Sequence, residues 1–393
     1  MRVSPPLIAE KVLESVRVSP TFRVMNCLSL ATTRRRFLKS ALLAGIAAPS
    51  FQSIAQDTAP KPSSRAIKLG LDNFAVRGMG WKAPKLIDYA VSLKTDSLFI
   101  TDFDALENFE DSYLKGLRGR AADQGLQIHL GTWSICPTSK AFKNKWGTAT
   151  EHLALGIRMA KAIGSPVLRV VLGTGEDRKT DGGIEARIDD TVKVCKQLRN
   201  QAIDAGVKIA VENHAGDMQS WELVTLVEAA GRDYVGVNID SGNAAWTMED
   251  PLASLEILGP YTITSSLRDS MIWEYPEGAK IQWTAMGEGI VDWKKFFDRF
   301  AVLCPGVPVH IETISGFTRE VPYLRPGFWS TFPRARAKDL AMFVALSRKG
   351  RPIEPFKPAE GQDRKQAEQE YQKAELERSL VHCKQSLGLG LKG

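Results

Sequence analysis

The feature that most restricts what this chain can fold into is an alternation: between residues 66 and 349, eight short apolar runs are separated by helical patterns. The runs are "AIKLGLD" (66–72), "TDSLFIT" (95–101), "LQIHLGT" (126–132), "PVLRVVLG" (166–173), "VKIAVEN" (207–213), "YVGVNID" (234–240), "TITSSLR" (262–268) and "PVHIET" (308–313). Near-continuous Val, Ile and Leu over so few residues suits strands buried on both faces, as in a parallel sheet. Between them, "TEHLALGIRMAKAIG" and "IDDTVKVCKQLRNQAIDAG" carry apolar residues at three-and-four spacing and stop at Gly. Eight such units match an α/β fold, the (β/α)8 TIM barrel, whose usual length is roughly 250 residues. A doubly wound open sheet is the alternative, and it is disfavoured because "LGLDNFAVRGMGW" after the first run lacks the G-x-G-x-x-G fingerprint.

The flanks differ in composition. The stretch "TTRRRFLKSALLAGIAAPSFQSIAQ" has a basic region, a short apolar region and Ser53-Ile54-Ala55 before Gln56. It resembles a twin-arginine export signal, which implies a periplasmic or extracellular protein. No second apolar run follows, so no permanent membrane span is expected; Met25 is an alternative start. The expected organisation is therefore a signal peptide over 1–55, a Pro/Ser-rich linker over 56–65, the barrel over 66–349 and a charged C-terminal extension over 350–393. That extension is expected to be a solvated helix packed loosely on the barrel.

The net charge of +7 resides almost wholly in the leader, where eight Lys and Arg face two acids; the remainder is close to neutral. A polyanionic partner such as nucleic acid is not implied. After Cys27, the four cysteines Cys136, Cys195, Cys304 and Cys383 show no metal-ligand spacing and are expected as buried free thiols.

In a TIM barrel the chemistry sits where the C-terminal ends of the strands converge. Strand five ends at Glu212, with His214 on the same side by two-residue alternation and Asn213 turned away. Strand six ends at Asp240, and strand eight at Glu312 with His310 on the same face. Strand seven offers Ser266 and Arg268. Strand four offers Arg169, either to the mouth or to a neighbouring acid. Three carboxylates at one mouth cannot all stay ionised without a cation. A divalent metal would supply it, although each acid taken singly also suits a helix N-cap or a rim ion pair.

At "VKIAVENHAG", "YVGVNIDSGNAAW", "SLRD", "MGEGIVDWKKFF" (286–297) and "VHIET" the chain is similar to the xylose isomerase-like TIM barrel superfamily, in its sugar phosphate isomerase/epimerase branch. The resemblance implies one divalent ion, Mn²⁺ first and Mg²⁺, Co²⁺ or Zn²⁺ as alternatives. Its ligands would include Glu212, Asp240 and Glu312, the two glutamates also serving as the acid/base pair. The fourth ligand departs from the pattern: where the family reads His-x-Lys-Asp, this chain has Ser266-Leu267-Arg268-Asp269. His214 or His310 could supply the missing nitrogen. His214, His310, Arg268, Gln282 and Trp133 are candidates for holding a carbohydrate substrate.

The implied activity is sugar isomerisation or epimerisation through an enediolate, on a non-phosphorylated keto-sugar. The "GEG" at 287–289 keeps a phosphate grip open. Elimination on an oxidised (3-oxo) glycoside and a non-catalytic exported sugar-binding barrel are the alternatives. The superfamily's apurinic endonucleases use histidine-rich sites on DNA; five histidines and a near-neutral barrel argue against that activity here.

Overall fold

The computed structural model describes residues 66–392, so the leader and the linker lie outside it. Eleven strands and eleven helices follow one another in chain order. Eight strands form one parallel sheet: β1 (Leu69–Asp72), β2 (Ser97–Ile100), β3 (Gln127–Ser134), β4 (Val167–Val171), β5 (Lys208–Glu212), β6 (Val235–Asp240), β7 (Thr262–Ser266) and β10 (Val309–Ile311), with β10 beside β1. Leu267 closes the ring: its N–H donates to His310 O (2.8 Å) and its carbonyl accepts from Glu312 N (2.9 Å). All eight expected strands are present, seven within their apolar runs and β3 running two residues past its own. Among the described residues no helix is long and apolar enough to cross a membrane.

The helices are α1 (Ala83–Ser92), α2 (Asp111–Ala122), α3 (Ala149–Ile163), α4 (Gly183–Gln197), α5 (Arg199–Ala205), α6 (Ser220–Ala230), α7 (Ser241–Trp246), α8 (Pro251–Leu258), α9 (Trp293–Leu303), α10 (Ala337–Ser347) and α11 (Arg364–Gln385). Their ends follow local chemistry. Thr148 and Glu151 form a capping box on α3, which Gly164 ends at φ 79°. Cys136, Cys195, Cys304 and Cys383 are free and buried, as expected.

Two features depart from the sequence reading. First, strand seven stops at Ser266, and the chain enters an antiparallel hairpin of β8 (Asp269–Tyr275) and β9 (Gly278–Thr284), joined by β11 (Thr318–Val321). Helix α10 packs on β8 of this small sheet, where its Phe343 and Leu346 join a second apolar cluster.

Second, the C-terminal extension is not a loose appendage. Helix α11 packs against β1, β10 and the turn Asn73–Met79. Its Leu376, Leu380 and Cys383 are buried in the main barrel core with Leu387 and Leu389. Gly390 N then donates to Ile67 O, and Leu391 N to Asp96 Oδ2, both at 2.9 Å. The low apolar content misled because Glu375 and Ser379 are also buried and are satisfied by hydrogen bonds: Glu375 Oε2 accepts from Ser315 (2.9 Å), and Ser379 Oγ accepts from Met286 N (3.1 Å). The barrel unit thus extends past residue 349.

If α11 completes the core, Leu376→Ala should cost about 2–5 kcal/mol in urea unfolding. Arg364→Ala, on the exposed side of the same helix, should stay within about 0.5 kcal/mol. Equal small effects would return α11 to the surface.

Candidate active site

Four acids gather at the C-terminal mouth of the barrel: Asp72, Glu212, Asp240 and Glu312, from the ends of β1, β5, β6 and β10, all buried. Burial without compensation would force them to hold protons. Two buried arginines supply the compensation. Arg169, from β4, donates from Nε to Glu212 Oε2 (2.5 Å) and from Nη1 to Thr132 O (2.9 Å). Arg268, from the β7–β8 junction, places a single nitrogen, Nη2, between Asp240 Oδ2 and Glu312 Oε2.

Amides complete the network. Asn238 Nδ2 reaches Glu212 Oε2 (2.9 Å), and Asn243 Nδ2 bridges Glu212 Oε1 (3.2 Å) and Asp240 Oδ2 (2.7 Å). Asp240 also caps α7, its Oδ1 accepting from Gly242 N (2.8 Å) and Asn243 N (3.0 Å). Ser266 donates its hydroxyl to Asp72 Oδ2 (3.0 Å).

Arg268 is held on a third side by stacking. Its guanidinium carbon lies 4.3 Å from the Trp283 ring centroid. Trp283 stacks on Trp246 at 4.3 Å and 8°, and Arg319 covers Trp246 at 4.1 Å. Trp283 Nε1 is fixed on Gly242 O (3.0 Å). Glycine is required at 242, because a Cβ there would stand 2.6 Å from Arg268 Cγ. The β8–β9 hairpin exists at the mouth to deliver this ring, and it was invisible in the run pattern.

The loop after β5 is strained into place. Ala215 adopts φ 44°, uncommon for a residue with a Cβ. Its N–H donates to Asn243 Oδ1 (3.1 Å) and its carbonyl accepts from Gly175 N (3.0 Å). This aims His214, whose Nδ1 donates to Gly173 O (2.6 Å), leaving the lone pair on Nε2. The Trp133 ring meets the imidazole edge-on at 5.2 Å.

A cavity of about 390 Å³ opens here, lined by Glu212, His214, Arg268, Glu312, Arg169 and Trp133 and walled by Trp246, Trp283 and Phe317. Six sequence-derived candidates therefore meet at one cavity, and Asp240 binds Arg268 behind it. Asn213 is turned away, exchanging hydrogen bonds with the Asp240 backbone (both 2.8 Å).

Two candidates do not reach the cavity. His310 lies deeper in the barrel, its Nδ1 on Ser265 O and its Nε2 on Ser97 Oγ (both 3.0 Å), stacked near Phe99 and His129. Alternation gives a residue's face but not its depth, and two residues back along a strand is one layer down. Burial pushes its imidazole down to about 3. Gln282, on β9, instead binds Thr318 Oγ1 (3.1 Å). The sequence reading missed Asp72, Asn238 and Asn243; the last two sit in the quoted "VGVNIDSGN", whose amides are the signal.

The electrostatics split the two glutamates. Burial would raise Glu212, but Arg169 and, more weakly, His214 and Arg268 outweigh it and hold the carboxyl below the ordinary range. For Glu312 burial prevails over Arg268, and Glu212 adds to the rise. Burial also drives Asp72 and Asp240 well up, and drives His214 down toward the neutral form.

The arrangement does not fit a divalent ion. Each oxygen of Asp240 and Oε2 of Glu212 accepts from two protein donors, Arg268 Nη2 stands between Asp240 and Glu312, and the imidazole position holds Ser266, whose proton is on Asp72, while Glu212 Oε1, with its one bond from Asn243 (3.2 Å), keeps a lone pair for chemistry. Among the described residues no group of three or more His, Cys, Asp or Glu side chains could hold a metal. The cation that the buried acids demand is present as guanidinium. The late glycines are likewise spoken for: Gly287 N and Gly289 N both donate to Asp269 Oδ2 (3.0 Å), so their amides do not cradle a phosphate.

The family described as xylose isomerase-like TIM barrel matches residues 87–327, and the chain belongs to it. A curated relative is the 3-oxo-isoapionate decarboxylase of Pectobacterium atrosepticum, 22% identical over 170 residues, covering 43% of this chain and 54% of that protein. The chain thus aligns with about half the length of that relative. Similar solved structures include a D-psicose 3-epimerase, at TM-score 0.53 and 14% identity over 82% of this chain and all of that one. Another is the IOLI protein with a bound zinc atom, at TM-score 0.50 and 16% identity over 73% of this chain and all of that one. At such identities the structures share the fold.

The pairing of Arg169 with Glu212 makes a pH-dependent prediction. In Arg169→Met, burial of Glu212 is opposed only by the weaker pull of His214 and Arg268, so its carboxyl should rise above the ordinary 4.5. A carboxyl raised only in the folded state costs stability as pH climbs through that interval. The variant should therefore lose about 3–5 kcal/mol at neutral pH and clearly less near pH 4, measured by urea unfolding. A loss independent of pH would contradict the pairing.

Proposed function

We propose that this protein transfers a proton at the carbon next to a carbonyl group in a small, non-phosphorylated keto-sugar, giving isomerisation or epimerisation. The observation that carries this reading is the pair Glu212 and Glu312, lining one cavity with their carboxyls pushed in opposite directions. Such divergence suits one group to accept a proton and the other to return it. Ionised Glu212 takes the proton; the C–H pair becomes the C=C bond, and the carbonyl π pair moves onto oxygen. The Glu312 carboxyl then delivers a proton to carbon, and the carbonyl reforms.

The other side chains suit a polyhydroxylated substrate. His214 Nε2 accepts from a sugar hydroxyl, and the Trp246, Trp283 and Phe317 wall receives the apolar face of the ring. The single Mn²⁺ or similar ion implied by the sequence resemblance has no role in this scheme, because the Arg268 guanidinium stands between Asp240 and Glu312. The leader's likeness to a twin-arginine signal supports a place of work outside the cytoplasm. Burying several acids has little use in a protein that only binds sugar, which weighs against the non-catalytic reading.

Elimination on an oxidised glycoside is the second reading. A side cavity of about 190 Å³, lined by Trp133, Trp146, Asp102 and Asp104, shares Trp133 and Asp102 with the main cavity. It offers room for a leaving group, and the curated decarboxylase relative shows lyase chemistry elsewhere in the family.

The test is incubation of the purified protein with keto-sugars and 3-oxo-glycosides in D₂O, followed by NMR. Deuterium should enter at the carbon beside the carbonyl, and Glu212→Gln should slow this by about 10²–10⁴-fold with the fold intact. Absence of both exchange and product from every substrate would sink the reading.

A further inference from the structure

We propose that Arg268 takes the place of the metal ion: its guanidinium is the fixed positive charge that stabilises the developing oxyanion, and the site works without a divalent cation. This rests on the proton-transfer reading above and adds the identity of its electrophile.

Three observations carry it. The first is position. Nη2 of Arg268 lies between carboxylates of β6 and β10, two of the acids on which the family resemblance would centre an ion. The second is availability of donors to substrate. Arg268 lines the cavity, no hydrogen bond engages its Nη1, and its Nε is buried without a partner. A carbonyl oxygen entering the cavity finds in Nη1 a charged donor that no protein group competes for.

The third is immobility. Two buried ion pairs, the Trp283 face and the missing Cβ of Gly242 hold the guanidinium from different sides. Displacing it to admit an ion would leave a buried guanidinium without its carboxylates and would break the Arg268–Trp283–Trp246–Arg319 stack.

In the step itself, Glu212 gains the proton, and the electron pair displaced onto the carbonyl oxygen is met by the Arg268 Nη1–H. No electrons leave the substrate, so no oxidant or reductant is needed. Arg268 itself keeps its proton throughout, since burial is outweighed by its four neighbouring acids and its pKa lies above the ordinary arginine value.

The experiment uses the full chain, purified without chelator. Elemental analysis is followed by calorimetric titration with Mn²⁺, for wild type and for the double variant Ser266→His/Arg268→Lys. Wild type should carry well under about 0.1 equivalent of divalent metal and show no saturable Mn²⁺ binding, whereas the folded double variant should gain about one equivalent. Stoichiometric metal in wild type, lost in Glu212→Gln, would overturn the proposal, and this holds even if the double variant does not fold. These readouts need no turnover, so a missing substrate would sink the proton-transfer reading without touching the metal result. Where turnover is found, Arg268→Ala should lose at least about 10²-fold in kcat and recover part of it with added guanidinium. Unchanged kcat in that variant would also overturn the proposal.

Discussion

The structure turns on one electrostatic problem: Asp72, Glu212, Asp240 and Glu312 are all buried at the same barrel mouth. In a low-dielectric interior such charges are tolerable only when paired and hydrogen-bonded. Arg169 pairs with Glu212 and Arg268 with Asp240 and Glu312, Asn238 and Asn243 donate to Glu212 and Asp240, Ser266 and Phe74 N donate to Asp72, and the α7 amides cap Asp240. Two arginines among four acids leave negative charge over, and burial accordingly pushes Asp72 and Asp240 toward their neutral forms. Glu212, with its own arginine, is the acid best kept ionised.

Much of the surrounding architecture serves to position those two cations. Arg169 comes directly from a barrel strand and needs no special device. Arg268 lies between strand seven and the hairpin, and its backbone is held by Ser241, whose Oγ accepts from Arg268 N (3.0 Å) and donates to Arg268 O (2.7 Å). The sheet also brings Trp283 back against the guanidinium, and β11 with its Arg319 closes the far side of the aromatic stack. Asp269, beside Arg268, secures the junction by accepting from Ser270, Gly287, Gly289 and Val291. The glycines at 287 and 289, which left a phosphate grip open in the sequence, therefore brace the junction beside the residue at the centre of the site.

The barrel was legible because its strands are apolar runs with a simple period, and the ends of β5, β6 and β10 could be read as converging acids. Alternation also placed Glu212 and His214 on one side and Asn213 on the other. It failed for His310, because period carries no depth, and for Gln282, because β9 belongs to a sheet whose alternating pattern is short and interrupted by Pro276 and Gly278. Helix α11 hid its core role behind Glu375 and Ser379, polar residues whose burial depends on partners far away in sequence. The need for a cation was readable from the acids alone. Its chemical identity was not, since that depended on where a long arginine side chain would turn.

The central claim is that the positive charge among these acids is a guanidinium. The most direct measurement is a crystal structure of the protein grown with Mn²⁺ at neutral pH, with anomalous data collected at the manganese edge. The account predicts the Arg268 side chain between Asp240 and Glu312, stacked on Trp283, and no anomalous peak at the barrel mouth. A manganese peak bound by Glu212, Asp240 and Glu312, with Arg268 turned aside, would contradict it.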